Sequence, residues 1–222
     1  FVLSKGHCTP ALYSVLAMRG FFPREMLSTF RSIDGHLSGH AEMRHVPGVD
    51  MSTGSLGQGI STAVGMALAG QVDKKDYRVY AVLGDGELEE GQVWEAAMAA
   101  GNYHLDNLCV FVDNNNIQID GTLEEIMSPY PIDKKFEAFN WHVECCDGHD
   151  VTAIAAALEN AKAAKGKPTV IIAKTVKGKG VSFVENNKEW HGNDPDKEQY
   201  EKAAAELDAL VAAAEKEAAR YE

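Results

Sequence analysis

Apolar positions in this chain gather into short continuous runs, and polar or helical stretches separate them. The runs "YRVYAVL" (77–83), "LCVFVD" (108–113), "WHVECC" (141–146) and "TVIIAKT" (169–175) each predict a strand buried on both faces. Helical patterns fall between them at about residues 90–102, 131–139 and 150–165. Upstream, "TPALYSVLAMRG" predicts a helix with Thr9 as N-cap, Pro10 at the first helical position and Gly20 past the end. "GQGISTAVGMALAGQV" predicts another, whose small residues permit close packing. The tail from Asp196 predicts one amphipathic helix over about 196–222. Residues 32–58 form a long polar, glycine-rich segment between the first two helices. Alternation of strand and helix predicts an α/β fold, a doubly wound and mostly parallel sheet flanked by helices. A single domain is expected over residues 1–222. The apolar "FVL" at the start reads as a strand end, so an upstream N-terminal segment is expected before Phe1.

Composition narrows the function classes. Hydrophobic residues make up 45% and charged residues 24%, ordinary values for a soluble globular chain. No apolar run reaches the length of a membrane span, and the first residues lack a signal-peptide layout. A formal net charge of −12 argues against a general nucleic-acid binder, which needs a basic face. Cys8, Cys109, Cys145 and Cys146 form no C-x-x-C pair, so reduced, mostly buried thiols in a cytoplasmic protein are expected.

The candidate chemistry sits at two predicted strand ends. "YAVLGDG" places Asp85 at one, between Gly84 and Gly86, and "LCVFVDNNNIQIDG" places Asn114, Asn115 and Asn116 at the next. Ligands of open α/β sheets collect beyond the carboxyl ends of strands. Asp85 and Asn115 are 30 residues apart, room for one strand–helix–strand unit. Adjacent parallel strands would then present a carboxylate and an amide side by side. Such oxygen donors suit Mg²⁺ or Ca²⁺ held together with phosphate oxygens. Glycines at 84 and 86 would let the backbone approach those phosphates. The competing explanation is a pair of tight turns, with glycines and Asx-turns serving geometry alone.

These motifs resemble those of thiamine-diphosphate enzymes, and most closely the transketolase family. "FVLSKGH", "TGSLGQG", "GDGELEEG", "DNNNIQIDG", "FEAFNWHVECCDGHD" and "KTVKGKG" are similar to transketolase segments in the same order, from Phe1 to about Asp194. The resemblance implies that Asp85, the Asn115 side chain and the Ile117 carbonyl bind a divalent metal, with Gly86 and Asn115 on the diphosphate. It implies that Gly54, Ser55 and Leu56 line the pyrimidine and thiazolium part of thiamine diphosphate. His7, His40 and His191 match active-site histidines that meet cofactor and substrate, and Glu90 matches an acid near the contact between paired cofactor sites. The implied reaction transfers a two-carbon ketol unit between sugar phosphates of the pentose phosphate pathway, with histidines moving protons near neutral pH.

Departures accompany the resemblance. The family's usual Asp-Asp-Asn is here Asp113-Asn114-Asn115, Ser55 stands where proline is common, and Lys188 replaces a histidine. His36, His40 and His45 lie in an irregular loop without cysteine partners, so structural zinc is not expected. His104, His142 and His149 read as surface or packing residues, and Trp94 and Trp141 as core aromatics. No pyrimidine-binding domain is expected within residues 1–222. The resemblance therefore implies the N-terminal subunit of a split transketolase, a dimer of this chain within a heterotetramer with C-terminal subunits, inactive alone. The acids Glu87, Glu89 and Glu90 and the small-residue helix are expected at subunit contacts. Competing assignments are a subunit of 1-deoxyxylulose-5-phosphate synthase or of a 2-oxo acid dehydrogenase, or a non-catalytic binding or regulatory subunit.

Overall fold

The computed structural model describes residues 1–219, so the expected helical residues 220–222 lie outside the described residues. The elements run β1 (Val2–Leu3), α1 (Thr9–Met18), α2 (Gln58–Val72), β2 (Val79–Gly84), α3 (Gly91–Asn102), β3 (Leu108–Asn114), α4 (Leu123–Ile126), α5 (Ile132–Ala138), β4 (His142–Asp147), α6 (Val151–Ala163), β5 (Thr169–Lys174) and α7 (Lys197–Ala218). Residue contacts divide the chain into two units, 1–114 with 129–174, and 115–128 with 175 onward.

The first unit carries a five-stranded sheet in the order β1-β2-β3-β5-β4, every pair parallel. Alternation along the strands divides the core between two faces. Val79, Ala81 and Leu83 of β2, Val110 and Val112 of β3, and Val170 and Ile172 of β5 pack with Ile60, Ala63 and Ala67 of α2, Val93 and Ala97 of α3, and Phe136 of α5. Cys109 and Ile171 point the other way, onto Ala157 and Ala161 of α6. Small residues of α2 let it approach: Gly59 lies against Ser4, and Gly70 against the Tyr77 ring. The polar segment after α1 covers a third cluster, with Tyr13, Leu16, Leu37 and Val46 buried.

Three local expectations are corrected. Cys8, not Thr9, occupies the N-cap of α1, without a side-chain cap bond. The Thr9 hydroxyl is drawn instead to the Gly39 carbonyl at 2.9 Å, which ties the polar segment to the helix start. Gly20 does end α1 as expected, with φ +81° and its N–H on the Ala17 carbonyl. β4 is not buried on both faces, because it is the outer strand and no residue of it is fully covered. The four cysteines are free, but only Cys109 is buried and Cys145 is exposed.

In the second unit, α4 begins with a capping box between Thr122 and Glu125, and α7 with one between Asp196 and Gln199. The amphipathic stripe of α7 does not become core. None of its described residues is buried, and Leu207, Leu210 and Val211 remain exposed. Among the described residues no helix is long and apolar enough to cross a membrane.

Candidate functional site

The carboxyl edge of the sheet gathers the polar residues of the first unit. β2 stops at Gly84, and the Asp85 N–H still reaches the Asp113 carbonyl at 3.2 Å, so the ladder carries Asp85 into position. Asp85 is 2% exposed. Its Oδ1 accepts the Gly86 N–H at 2.9 Å, and its Oδ2 accepts the Asn114 Nδ2–H at 3.0 Å. The amide beside Asp85 within this unit is therefore that of Asn114. Asn114 is itself buried, and its Nδ2 also donates to the Tyr130 hydroxyl at 2.8 Å while Lys174 Nζ donates to its Oδ1. Parallel register sets Asn114 opposite Lys174 on β5. Across the end of β2, the ammonium of Lys5, just after β1, pairs with the Asp113 carboxylate of β3 at 2.7 Å. Burial works against the Lys5 charge, but the surrounding groups, Asp113 first among them, together outweigh it and the Lys5 pKa is raised.

Glu87 was expected at a subunit contact, and the structure corrects this. It is 2% exposed, inside a short turn of 3₁₀ helix over Gly86–Glu89. Its Oε1 accepts the Ser4 hydroxyl at 2.5 Å and the Gly57 N–H at 2.8 Å, and its Oε2 accepts the Gly84 N–H at 3.2 Å. The side chain thus ties the end of β1, the start of α2 and the end of β2 into one node. Burial raises its pKa, and the bonds from Ser4, Gly57 and Gly84 oppose that rise.

His40 lines an open cavity of about 610 Å³ together with Gly54, Ser55, Gln58, Glu42 and His45. The backbone around it is stitched by the Ala41 N–H to the Gly6 carbonyl (3.2 Å) and the Thr53 N–H to the Ala41 carbonyl (3.1 Å). The segment bearing exposed His7 and the one bearing exposed His40 are therefore neighbours. A Cβ on Gly6 would sit 2.5 Å from the Thr53 backbone, so glycine is required there by close approach, and one on Gly54 would sit 2.9 Å from the His40 ring, which would have to turn aside. Glu42 has a fixed carboxylate: the Arg44 N–H and the Ser52 hydroxyl both donate to it and hold its pKa below the usual range. Leu56 is half-buried beside Gly57, and Glu90 is exposed at the start of α3.

The second unit holds the other expected site residues. Asn115 directly follows β3 in the chain, and its Oδ1 accepts the Ile117 N–H at 3.0 Å. Ile117 makes an antiparallel bridge with Thr122. Lys177 Nζ lies 3.1 Å from His191 Nδ1, and the Lys188 ammonium donates to the Asp120 carbonyl at 2.6 Å. Asn114, Lys174, Lys177, Tyr130 and Glu87 were not singled out for these contacts from sequence. Both lysines lie in "KTVKGKG", where spacing alone does not say which carbonyl or ring each ammonium meets.

The donor set bears on whether a metal and a diphosphate fit. No group of three or more His, Cys, Asp or Glu side chains able to hold a metal occurs among the described residues. A cation here would thus rely on one carboxylate, amide or carbonyl oxygens and phosphate, a hard set suited to Mg²⁺ or Ca²⁺. A Cβ on Gly84 would meet nothing closer than the Lys5 side chain at 3.8 Å, so intramolecular packing does not demand glycine there. Both observations fit a diphosphate held through a divalent cation.

Comparison with known proteins places these residues in a family. Residues 1–209 match the profile described as "Transketolase, thiamine diphosphate binding domain". The chain is 50% identical over 207 residues to the 6-deoxy-6-sulfo-D-fructose transketolase subunit SqwG of Clostridium sp. (strain MSTE9), covering 93% of this chain and 75% of that protein. It is 43% identical to an apulose-4-phosphate transketolase subunit of Phocaeicola vulgatus, covering 98% of this chain and 77% of that protein. The crystal structure of transketolase from Campylobacter jejuni superposes with a TM-score of 0.86 at 37% identity, covering 91% of this chain and 33% of that one.

Proposed function

The chain belongs to the transketolase family and carries its thiamine diphosphate binding domain, and we propose that it works as the N-terminal subunit of a two-chain, metal-dependent transketolase. The observation that carries this reading is the buried Asp85 carboxylate, set by parallel pairing at the carboxyl edge of the sheet and bracketed by glycines. In this reading Asp85, the Asn115 side chain and the Ile117 carbonyl hold Mg²⁺ or Ca²⁺, and Gly84, Gly86 and Asn115 meet the diphosphate. Gly54, Ser55 and Leu56 line the ring end of the cofactor, and Glu90 stands near a paired site. When bound, thiamine diphosphate supplies the electron sink for breaking and forming the carbon–carbon bond.

The chain's own part is binding, orientation and proton movement. Glu87 holds the start of α2 against the end of β2, so the loop carrying Gly54–Leu56 and the turn carrying Asp85 keep one spacing. His40 and His7 present exposed imidazoles on neighbouring segments, suited to taking a proton from a sugar hydroxyl and returning it. Gly54, without a side chain, leaves room for the His40 ring beside it. His191, with Lys177 beside Nδ1, is assigned to cofactor and substrate contact. The substrates are sugar phosphates, from which a two-carbon ketol unit passes to an aldose. The names of both relatives, each a subunit, support a partner chain, and here we assign a C-terminal subunit that completes the site in a heterotetramer, in the cytoplasm. The test is Asp85→Ala: Mg²⁺-dependent thiamine diphosphate binding, measured by calorimetry, is lost. Unchanged affinity would remove Asp85 from the site. Separately, purified chain alone shows no ketol transfer and gains it on mixing with the partner; robust activity alone refutes the two-chain reading.

A further inference from the structure

We infer that Asn114 is a positioning residue that orients the Asp85 carboxylate for its cation, and that Lys174 decides which way round the Asn114 amide sits. The inference rests on the reading that Asp85 is a metal ligand. An asparagine amide has two ends of nearly equal shape, and only its partners distinguish them. An ammonium can donate but never accept, so the end facing Lys174 Nζ is the carbonyl oxygen. That leaves the NH₂ group toward Asp85 Oδ2, 3.0 Å away, and the Tyr130 hydroxyl, 2.8 Å away. With the Gly86 N–H on Oδ1, both carboxylate oxygens then meet a fixed donor, which constrains the plane and rotation of the group.

Burial makes this arrangement matter. Asp85 is 2% and Asn114 4% exposed, so water has little room to replace a lost donor. The chain of contacts also crosses three neighbouring strands, from β5 through β3 to β2. A carboxylate at position 114 would keep Lys174 but would face Asp85 with an acceptor instead of a donor, setting two acids together. Asparagine with lysine behind it avoids that repulsion and supplies the hydrogen. Residues of this kind, behind a ligand rather than on the metal, typically change metal affinity 10–100-fold when removed.

The experiment titrates the full chain with Mn²⁺ at a fixed, saturating concentration of thiamine diphosphate and counts free Mn²⁺ by electron paramagnetic resonance. Thermal melting monitors the fold of each variant. Asn114→Leu is expected to weaken Mn²⁺ about 10-fold or more. Lys174→Met, an exposed strand-end change, is expected to keep the fold and weaken Mn²⁺ by a smaller factor. The double variant is expected to be no weaker than Asn114→Leu alone, because Lys174 acts only through Asn114. Wild-type affinity in folded Asn114→Leu, beside loss in Asp85→Ala, overturns the positioning role. Additive losses in the double variant overturn the link to Lys174. If Asn114→Leu does not fold, wild-type Mn²⁺ affinity in Lys174→Met overturns the inference. Wild-type affinity in Asp85→Ala overturns the metal reading itself, a distinct result.

Discussion

Replacing Glu87 tests whether one buried acid holds the site together. In Glu87→Ala the N–H groups of Gly57 and Gly84 and the buried Ser4 hydroxyl lose their acceptor. Each stranded N–H costs about 1–3 kcal/mol, and removing a buried charge offsets part of this, so a net loss of about 3 kcal/mol is expected. In Glu87→Gln the amide oxygen can still accept from Ser4 and Gly57. Its NH₂ cannot accept from Gly84, and a loss of about 1–2 kcal/mol is expected. The pH dependence separates the two effects. Burial raises the Glu87 pKa above its ordinary 4.5, so the folded state holds this proton more tightly than the unfolded state. The resulting stability is full below the ordinary value and is lost as pH rises through the raised one. The gap between wild type and Glu87→Gln is therefore wider at about pH 5 than at about pH 8. Urea unfolding followed by circular dichroism at both pH values measures it. A change within about 0.5 kcal/mol for Glu87→Ala, the range of ordinary surface substitutions, would refute the node.

Other outcomes follow from close contacts and burial. A Cβ on Gly101 of α3 would run into the Phe139 carbonyl oxygen, so Gly101→Ala is expected to lower stability by about 3 kcal/mol, read by chemical denaturation. Gly54→Ala, whose added methyl meets the His40 ring at 2.9 Å, is expected to reduce ketol transfer in the assembled enzyme with little change in melting temperature. The Trp141 indole N–H donates to the Ala97 carbonyl at 2.8 Å in the core, a second bond to an oxygen inside α3, so Trp141→Phe loses that bond and part of the ring's packing and costs about 1–3 kcal/mol in urea unfolding. Burial pushes the Cys109 thiol up to about 12, so iodoacetamide should label exposed Cys145 well before Cys109, by peptide mass mapping of the native chain.

The chain's local pattern was enough for the strands, the helices other than short α4 and the two strand-end motifs, because each depends on residues near in sequence. A run such as "LCVFVD" has few ways to bury itself, and glycine-bracketed Asp85 after an apolar run reads as a strand end. The ordered set of motifs also pointed to the transketolase family, which the match over residues 1–209 bears out. Sequence did not show that β5 enters the sheet between β3 and β4, which leaves β4 outermost and half-exposed. Nor did it show which acids are buried: Glu87 and Glu90 sit three residues apart in one acidic stretch, yet only Glu87 turns inward. The partners of Asp85 depended on the same placement, since Lys174 is 60 residues from the Asn114 it meets. Periodicity reports which face of an element is apolar. The side chains that meet at a strand end are set by strand order and register, and those depend on packing among distant segments.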